Sequence, residues 1–191
     1  MTLSAVLLAG GDSLRMGRDK ATIVVRGKPL WQRQIGLLRD LRPEKIFVSV
    51  RKEPSWLPIE AELLLDEPPS RGPLGGLTRA LEQMQTSHLL ALAVDMPFMT
   101  SEQMRAIWDL ATIGCGVLPM IVDRAEPLAA IYPREAGGDL RKALAGRNFS
   151  LQGVSRTLVL QGTLRVFQVP PEDSERYRSV NEPGDFQGAA V

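Results

Sequence analysis

An apolar run, Leu3 to Leu8, leads into a glycine pair, Gly10 and Gly11, and then into a loop carrying Arg15, Arg18 and Lys20. No other stretch constrains the chain so strongly. The apolar run reads as a short buried strand. The glycines let backbone N–H groups close on a phosphate with no Cβ in the way, and the cations add positive charge where a polyphosphate would lie. A buried strand feeding a glycine-rich, cationic loop is the way an α/β protein holds a nucleotide.

The generic phosphate loops do not fit. A Walker loop needs Gly, four residues and then Gly-Lys-Ser/Thr. Here five residues separate Gly11 from Gly17, and Arg18 comes next. The G-x-G-x-x-G fingerprint is absent as well.

The rest of the chain alternates strand and helix patterns. Strands are expected at Ala5–Leu8, Lys45–Val50, Ala61–Leu65, His88–Val94, Val117–Val122, Leu128–Tyr132 and Leu164–Val169. Helices are expected at Pro29–Leu41, Leu74–Met84 and Thr100–Ala111, each with an apolar stripe at helical spacing, and at Glu135–Ala145. Thr100 with Gln103 three residues on reads as a capping box. Segment His88–Val94 is apolar after its first residue, as a central strand covered on both faces would be. This order predicts an α/β fold, a mostly parallel Rossmann-like sheet with helices on both faces. Ligands of such sheets lie beyond the carboxyl ends of the strands. The 191 residues suit a single domain, and at this size folding buries about 70% of the unfolded surface.

A net charge of +1 gives no global field for nucleic acid or a membrane surface, whereas Arg15, Arg18, Lys20, Arg26 and Lys28 cluster locally. A small anionic ligand is expected. One cysteine and one histidine rule out an internal disulfide and Cys/His metal spacing. No basic leader with a long apolar segment opens the chain, and no apolar run reaches the ~18 residues of a membrane span, so a cytoplasmic location is expected. Cys115 reads as a small buried residue, His88 as a strand-end surface residue, and Trp31 and Trp108 as members of helix stripes. Trp56, in a proline-flanked loop, has no evident place.

The loop Leu8-Ala9-Gly10-Gly11-Asp12-Ser13-Leu14-Arg15-Met16-Gly17-Arg18-Asp19-Lys20 resembles, at fixed spacing, the signature L-A-G-G-x-S-x-R-M-G-x-D-K of the molybdenum cofactor guanylyltransferases, the MobA-type nucleotidyltransferases. Further matching segments occur in order up to about Asp185. Asp95 ends an apolar strand, where a carboxylate is a ready Mg²⁺ ligand, and Asp95-Met96-Pro97-Phe98 resembles the family's metal-binding segment. The resemblance implies nucleotide contacts at Leu8, Ala9, Gly10, Gly11, Lys20, Asp66 and Asp95, and also at Gly72, Pro73 and Leu74 of a G-P-L-x-G-like helix entry. Glu126-Pro127-Leu128-Ala129-Ala130-Ile131-Tyr132 resembles an acceptor-side segment. Asn181 resembles a late turn residue and is either a second metal ligand or a helix cap.

The resemblance implies transfer of GMP from GTP to molybdopterin, with Mg²⁺ as cofactor and Lys20, Arg15 and Asp95 as the catalytic groups. The molybdenum cofactor or a delivery protein or molybdoenzyme would be the partner, with no nucleic acid and no membrane. Gly11 favours guanine, since cytidylyl relatives tend to carry alanine there. One departure stands against it: Ser49, Val50 and Arg51 occupy a position where family members often offer asparagine. The alternatives are a cytidylyltransferase, a relative with another acceptor, or a non-catalytic cofactor carrier.

Overall fold

The computed structural model describes residues 1–10, 19–147 and 149–180. Strand β1 (Leu3–Leu8) is buried along its whole length. After it come a small hairpin, β2 (Val24–Val25) and β3 (Lys28–Pro29), helix α1 (Leu30–Asp40), and strands β4 (Lys45–Val50) and β5 (Ala61–Leu65). Next are helix α2 (Pro73–Gln83), strand β6 (His88–Ala93), helix α3 (Ser101–Asp109) and strand β7 (Gly116–Ile121). The described chain continues through β8 (Arg124–Ala125), β9 (Ala129–Pro133), α4 (Gly137–Ala145), α5 (Leu151–Leu160) and β10 (Leu164–Gln168).

The main sheet runs β10-β7-β9-β6-β1-β4-β5, with β8 pairing β7 at the side. β1 is parallel to β4 and β6, β4 to β5, and β7 to β10. β9 alone in the main path runs the other way, antiparallel to both β6 and β7. The fold is thus α/β with a mostly parallel sheet.

Side-chain alternation divides the core into two layers. Leu3, Ala5 and Leu7 face the layer built from Leu30, Ile35 and Leu38 of α1 and Met104 and Ile107 of α3. Val6 and Leu8 face the other layer, with Leu74, Leu77 and Leu81 of α2, Leu140 of α4 and Leu158 of α5. Every second residue of a strand points to the same face, so an uninterrupted apolar strand needs helices on both sides.

Several local features differ from the sequence expectations. Helix α5 has no counterpart among the expected helices: its buried positions are Leu151, Ser155 and Leu158, and the central serine breaks the apolar stripe. The hairpin β2–β3 turns on Arg26 and Gly27, both at positive φ (50° and 75°), the two-residue geometry that matches strand twist. Thr100 caps α3 by accepting from the Gln103 amide at 3.2 Å, but the Gln103 side chain donates instead to the Tyr177 hydroxyl, so the box is only half formed. His88 is fully buried rather than a surface residue. Its Nε2 donates to the Thr112 carbonyl at 3.1 Å and Nδ1 lies 2.9 Å from Ser87 Oγ, while Trp108 packs edge-on at 5.4 Å. Burial lowers its pKa, against the hydrogen bond to Thr112. Cys115 is half-buried. Segment 170–180 holds a 3-10 turn at Pro171–Tyr177, and its Tyr177 and Val180 enter the core.

Candidate active site

The carboxyl ends of β1, β4, β5 and β6 and the start of α2 surround a cavity of about 250 Å³. β1 contributes Leu8, and the chain just beyond it Ala9 and Gly10. From β4 and β5 come Ser49, Arg51 and Asp66, and from the α2 entry Gly72 and Pro73. β6 and its continuation supply Ala93, Val94 and Asp95, and Lys20 and Leu128 complete the wall. Eight of the residues singled out from sequence therefore meet in one place: Leu8, Ala9, Gly10, Lys20, Asp66, Gly72, Pro73 and Asp95. Leu74 does not line it; its side chain is fully buried in the layer under α2. Gly11, Arg15 and Asn181 lie outside the described residues. A larger groove, about 500 Å³, runs along β5 and α2 and shares Asp66, but it holds neither Lys20 nor Asp95.

Lys20 Nζ lies 3.5 Å from Asp95 Oδ2 and donates to the Val180 carbonyl at 3.4 Å. The Val180 amide in turn donates to the Asp95 carbonyl at 2.8 Å. Burial raises the Asp95 pKa, and the Lys20 ammonium partly offsets the rise. The segment after Asp95 is fixed to α1: the buried Gln34 donates to the Met96 carbonyl at 2.6 Å, and Arg33 to the Pro97 carbonyl at 3.3 Å. Lys20 is positioned by its neighbour. The Asp19 carboxylate accepts from the Ala21 amide and from Trp56 Nε1, both at 2.9 Å. Trp56 stacks on Trp31 of α1, centroids 5.5 Å apart, so the tryptophan without an evident role anchors the residue before Lys20.

Asp66 is held from two sides. Ser49 Oγ donates to Oδ1 at 3.3 Å and Ser70 Oγ to Oδ2 at 3.4 Å. Burial raises its pKa, against the pull of the Ser49 hydrogen bond and the Arg51 charge. The glycines permit this crowding. A Cβ on Gly10 would come within 3.1 Å of Asp66 Oδ2, and one on Gly76 would collide with Ser49 Oγ. Gly72 sits at φ 62°, a conformation that favours glycine, and the amides of the first α2 turn have no side-chain cap. Ala93 and Val94 are lining residues that the sequence reading does not single out, Ser49 and Arg51 enter it only as a departure from the family pattern, and Leu128 only on the acceptor side. Ser49 leaves a trace there, as the one polar residue inside an apolar strand.

The donor set fits a hard divalent cation of the Mg²⁺ kind. Asp95 gives one partly accessible carboxylate, and such ions take one or two carboxylates and fill the remaining positions with phosphate oxygens and water. Among the described residues no group of three or more His, Cys, Asp or Glu forms an all-protein cage. Among them, too, no helix is long and apolar enough to cross a membrane.

The chain is 35% identical to a protein from Opitutus terrae named probable molybdenum cofactor guanylyltransferase, over 96% of this chain and 92% of that one. A protein of the same name from Chloroflexus aggregans is 32% identical over 80% of this chain and 76% of its own. The crystal structure of molybdopterin-guanine dinucleotide biosynthesis protein A from Archaeoglobus fulgidus superposes with a TM-score of 0.69, covering 97% of this chain and 96% of that one. At 24% identity that likeness speaks to the fold alone. Residues 5–161 match the MobA-like NTP transferase domain. With its cavity at the carboxyl edge of the sheet, the chain belongs to the MobA-like NTP transferase family and is a nucleotidyltransferase.

Proposed function

We propose that this protein transfers GMP from GTP to the terminal phosphate of molybdopterin, forming a guanine dinucleotide and pyrophosphate. The observation that carries the reading is the meeting of Lys20 and Asp95, 3.5 Å apart, in a cavity bounded by Gly10 and the uncapped start of α2. The names of the Opitutus and Chloroflexus relatives support the choice of substrates.

In the reaction a bond forms between an acceptor phosphate oxygen and the α-phosphorus of GTP. The bond from that phosphorus to the bridging oxygen of the β-phosphate breaks, and its electron pair leaves with pyrophosphate. The acceptor is already anionic near neutral pH, so no general base is required, which agrees with the burial of the one histidine away from the cavity. Catalysis is then positioning and charge neutralisation. Gly10 brings the β1 loop backbone close to the nucleotide, and Asp66 accepts hydrogen bonds from the base. Gly11 belongs to the same loop in sequence and contributes to its guanine preference. Lys20 faces the phosphates and offsets charge building on the departing pyrophosphate, with Arg15 as a second cation. Asp95 would hold the Mg²⁺, with Asn181 as a candidate second ligand. Bound there, the ion supplies Lewis-acid polarisation of the phosphate oxygens.

The test tracks the phosphorus atoms. The protein is incubated with Mg²⁺, molybdopterin and GTP labelled at either the α- or the γ-phosphorus. The α-label should enter a molybdopterin-containing dinucleotide and the γ-label should leave in pyrophosphate. Retention of both labels in GTP, or their release together, contradicts the reading.

A further inference from the structure

A second cavity, about 260 Å³, opens at the same sheet edge under β7 and β8, with Glu126, Arg124, Ile121, Tyr177, Arg178 and Ser179 in its wall. Two strips of chain separate it from the nucleotide cavity. On one side Glu126 lies two residues before Leu128, which lines the nucleotide cavity and accepts the Ala93 amide at 2.9 Å. On the other side Ser179 precedes Val180, which is bonded to both Lys20 and Asp95. The two cavities thus flank the Lys20–Asp95 pair, the arrangement that a transfer between two bound molecules requires.

Glu126 is the unusual group in this wall. Only 7% of it is exposed, and burial pushes its pKa upward. The described ion pair is with Arg124 Nε at 3.3 Å, and Arg124 itself is three-quarters exposed, so the cation sits on the solvent side. A carboxylate this sequestered gains most from a ligand that brings N–H donors. The other walls are fixed: the Tyr177 hydroxyl is held by Gln103 at 2.9 Å, and the Arg178 guanidinium lies 4.4 Å over the Phe98 ring. Ile121 gives an apolar surface for a flat ring.

We propose that this cavity receives the pterin end of the acceptor, and that Glu126 accepts the paired N–H donors of its 2-amino-4-oxo edge. The inference rests on the reaction proposed above. Guanine carries the same pair of donors, and a half-buried carboxylate, Asp66, lines the nucleotide cavity. The dinucleotide product has one such edge at each end, and, with Asp95 given to the metal, the nucleotide cavity keeps Asp66 for one edge while the second cavity offers Glu126 for the other. The acceptor phosphate then points back toward Lys20 and Asp95. Glu126 is a binding residue here and takes no part in bond making.

The experiment uses the full-length enzyme with GTP, Mg²⁺ and molybdopterin, comparing Michaelis constants for the two substrates. Glu126→Gln, which keeps the shape and removes the charge, should raise the acceptor KM about ten-fold or more and leave the GTP KM within about two-fold. Arg124→Ala removes the ion pair but keeps the carboxylate, and should shift the acceptor KM much less. An unchanged acceptor KM in Glu126→Gln, an equal rise for both substrates, or full reproduction of the effect by Arg124→Ala overturns the assignment. Should Glu126→Gln fail to fold, the wild-type enzyme decides. Pterin should compete with molybdopterin about ten-fold or more better than 2,4-dioxopteridine, which lacks the amino donor, and equal competition overturns the assignment. A wild-type enzyme with no molybdopterin-dependent turnover overturns the parent reading instead, which keeps the two failures apart.

Discussion

The two halves of the sheet reach the same edge by opposite routes. In the parallel half, β5-β4-β1-β6, the strands deliver their site residues at or just past their ends: Leu8 and Gly10 from β1, Ser49 and Arg51 from β4, Asp66 past β5, and Ala93 and Asp95 from β6. In the other half β9 is reversed, so the residues it brings to that edge, Glu126 and Leu128, come before the strand. One reversed strand therefore lets a second cavity stand beside the first with chain from both directions in its walls. The lesson concerns direction: a rule that looks only after strands finds the nucleotide side and passes over the other.

The strongest way to break the comparison is to disable the parallel half alone. Asp95→Asn should lower turnover about 10³-fold, the size expected when a preorganised charge is removed from a phosphoryl site. Stability should not fall with it. Burial raises the Asp95 pKa, so the folded protein holds that proton more tightly than the unfolded chain does. The stability this preference contributes is present below the ordinary aspartate pKa of about 3.9 and is lost as pH rises through the folded value. At neutral pH the ionised carboxylate is a burden on the fold. The variant should melt at the same temperature as the wild type or higher, with the advantage shrinking as pH is lowered. Parallel pyrophosphate assays and thermal melts check both halves of the statement. A variant that loses activity by unfolding would contradict it.

Lys20→Ala comes next. Its loss should cost about 10²-fold in turnover, read as kcat more than as GTP KM, because its charge matters most as pyrophosphate departs. Two glycine variants then separate the halves. A Cβ at Gly116 collides with the Ile131 carbonyl where β7 meets β9, and one at Gly76 collides with Ser49 Oγ. Each Gly→Ala change should destabilise by about 1–3 kcal/mol in chemical denaturation. Only Gly76→Ala should also raise the GTP KM, because Ser49 positions Asp66. Equal effects on GTP KM would erase the distinction between the halves.

The smallest effect belongs to Ser49→Ala. Losing its hydrogen bond to Asp66 should weaken GTP binding by about 1 kcal/mol, close to five-fold in KM. The hydroxyl holds the Asp66 pKa down against burial, so its removal raises that pKa further. The KM defect should therefore grow as pH falls and shrink as pH rises. A defect independent of pH would mean that Ser49 acts through packing alone.

Much of the parallel half is legible in the sequence. Its central strands β1 and β6 are mostly apolar and buried along their whole length, because both faces are covered, and glycines and carboxylates fall where the strands of this half stop. The family resemblance groups Gly10, Lys20, Asp66, Gly72, Pro73 and Asp95 around one ligand, and the structure brings them to one cavity. Leu74 is the exception, since a G-P-L segment spends its leucine on packing the helix it begins. Harder to read are contacts made across long stretches of sequence. His88 looks like a polar strand end, yet Thr112 and Ser87 satisfy its ring inside the core. Trp56 looks unplaced, yet it joins α1 to Asp19 and so to Lys20. Helix α5 hides behind a buried Ser155, and the reversal of β9 leaves no mark in local periodicity.

The central claim is a guanylyl transfer to molybdopterin at the Lys20–Asp95 cavity. Its most direct test is Mg²⁺-dependent pyrophosphate release with GTP, CTP, ATP and UTP in turn, each with and without molybdopterin. The account predicts release only where GTP and molybdopterin are both present. Release with CTP in place of GTP, or with GTP when molybdopterin is left out, or silence in every mixture, would contradict it.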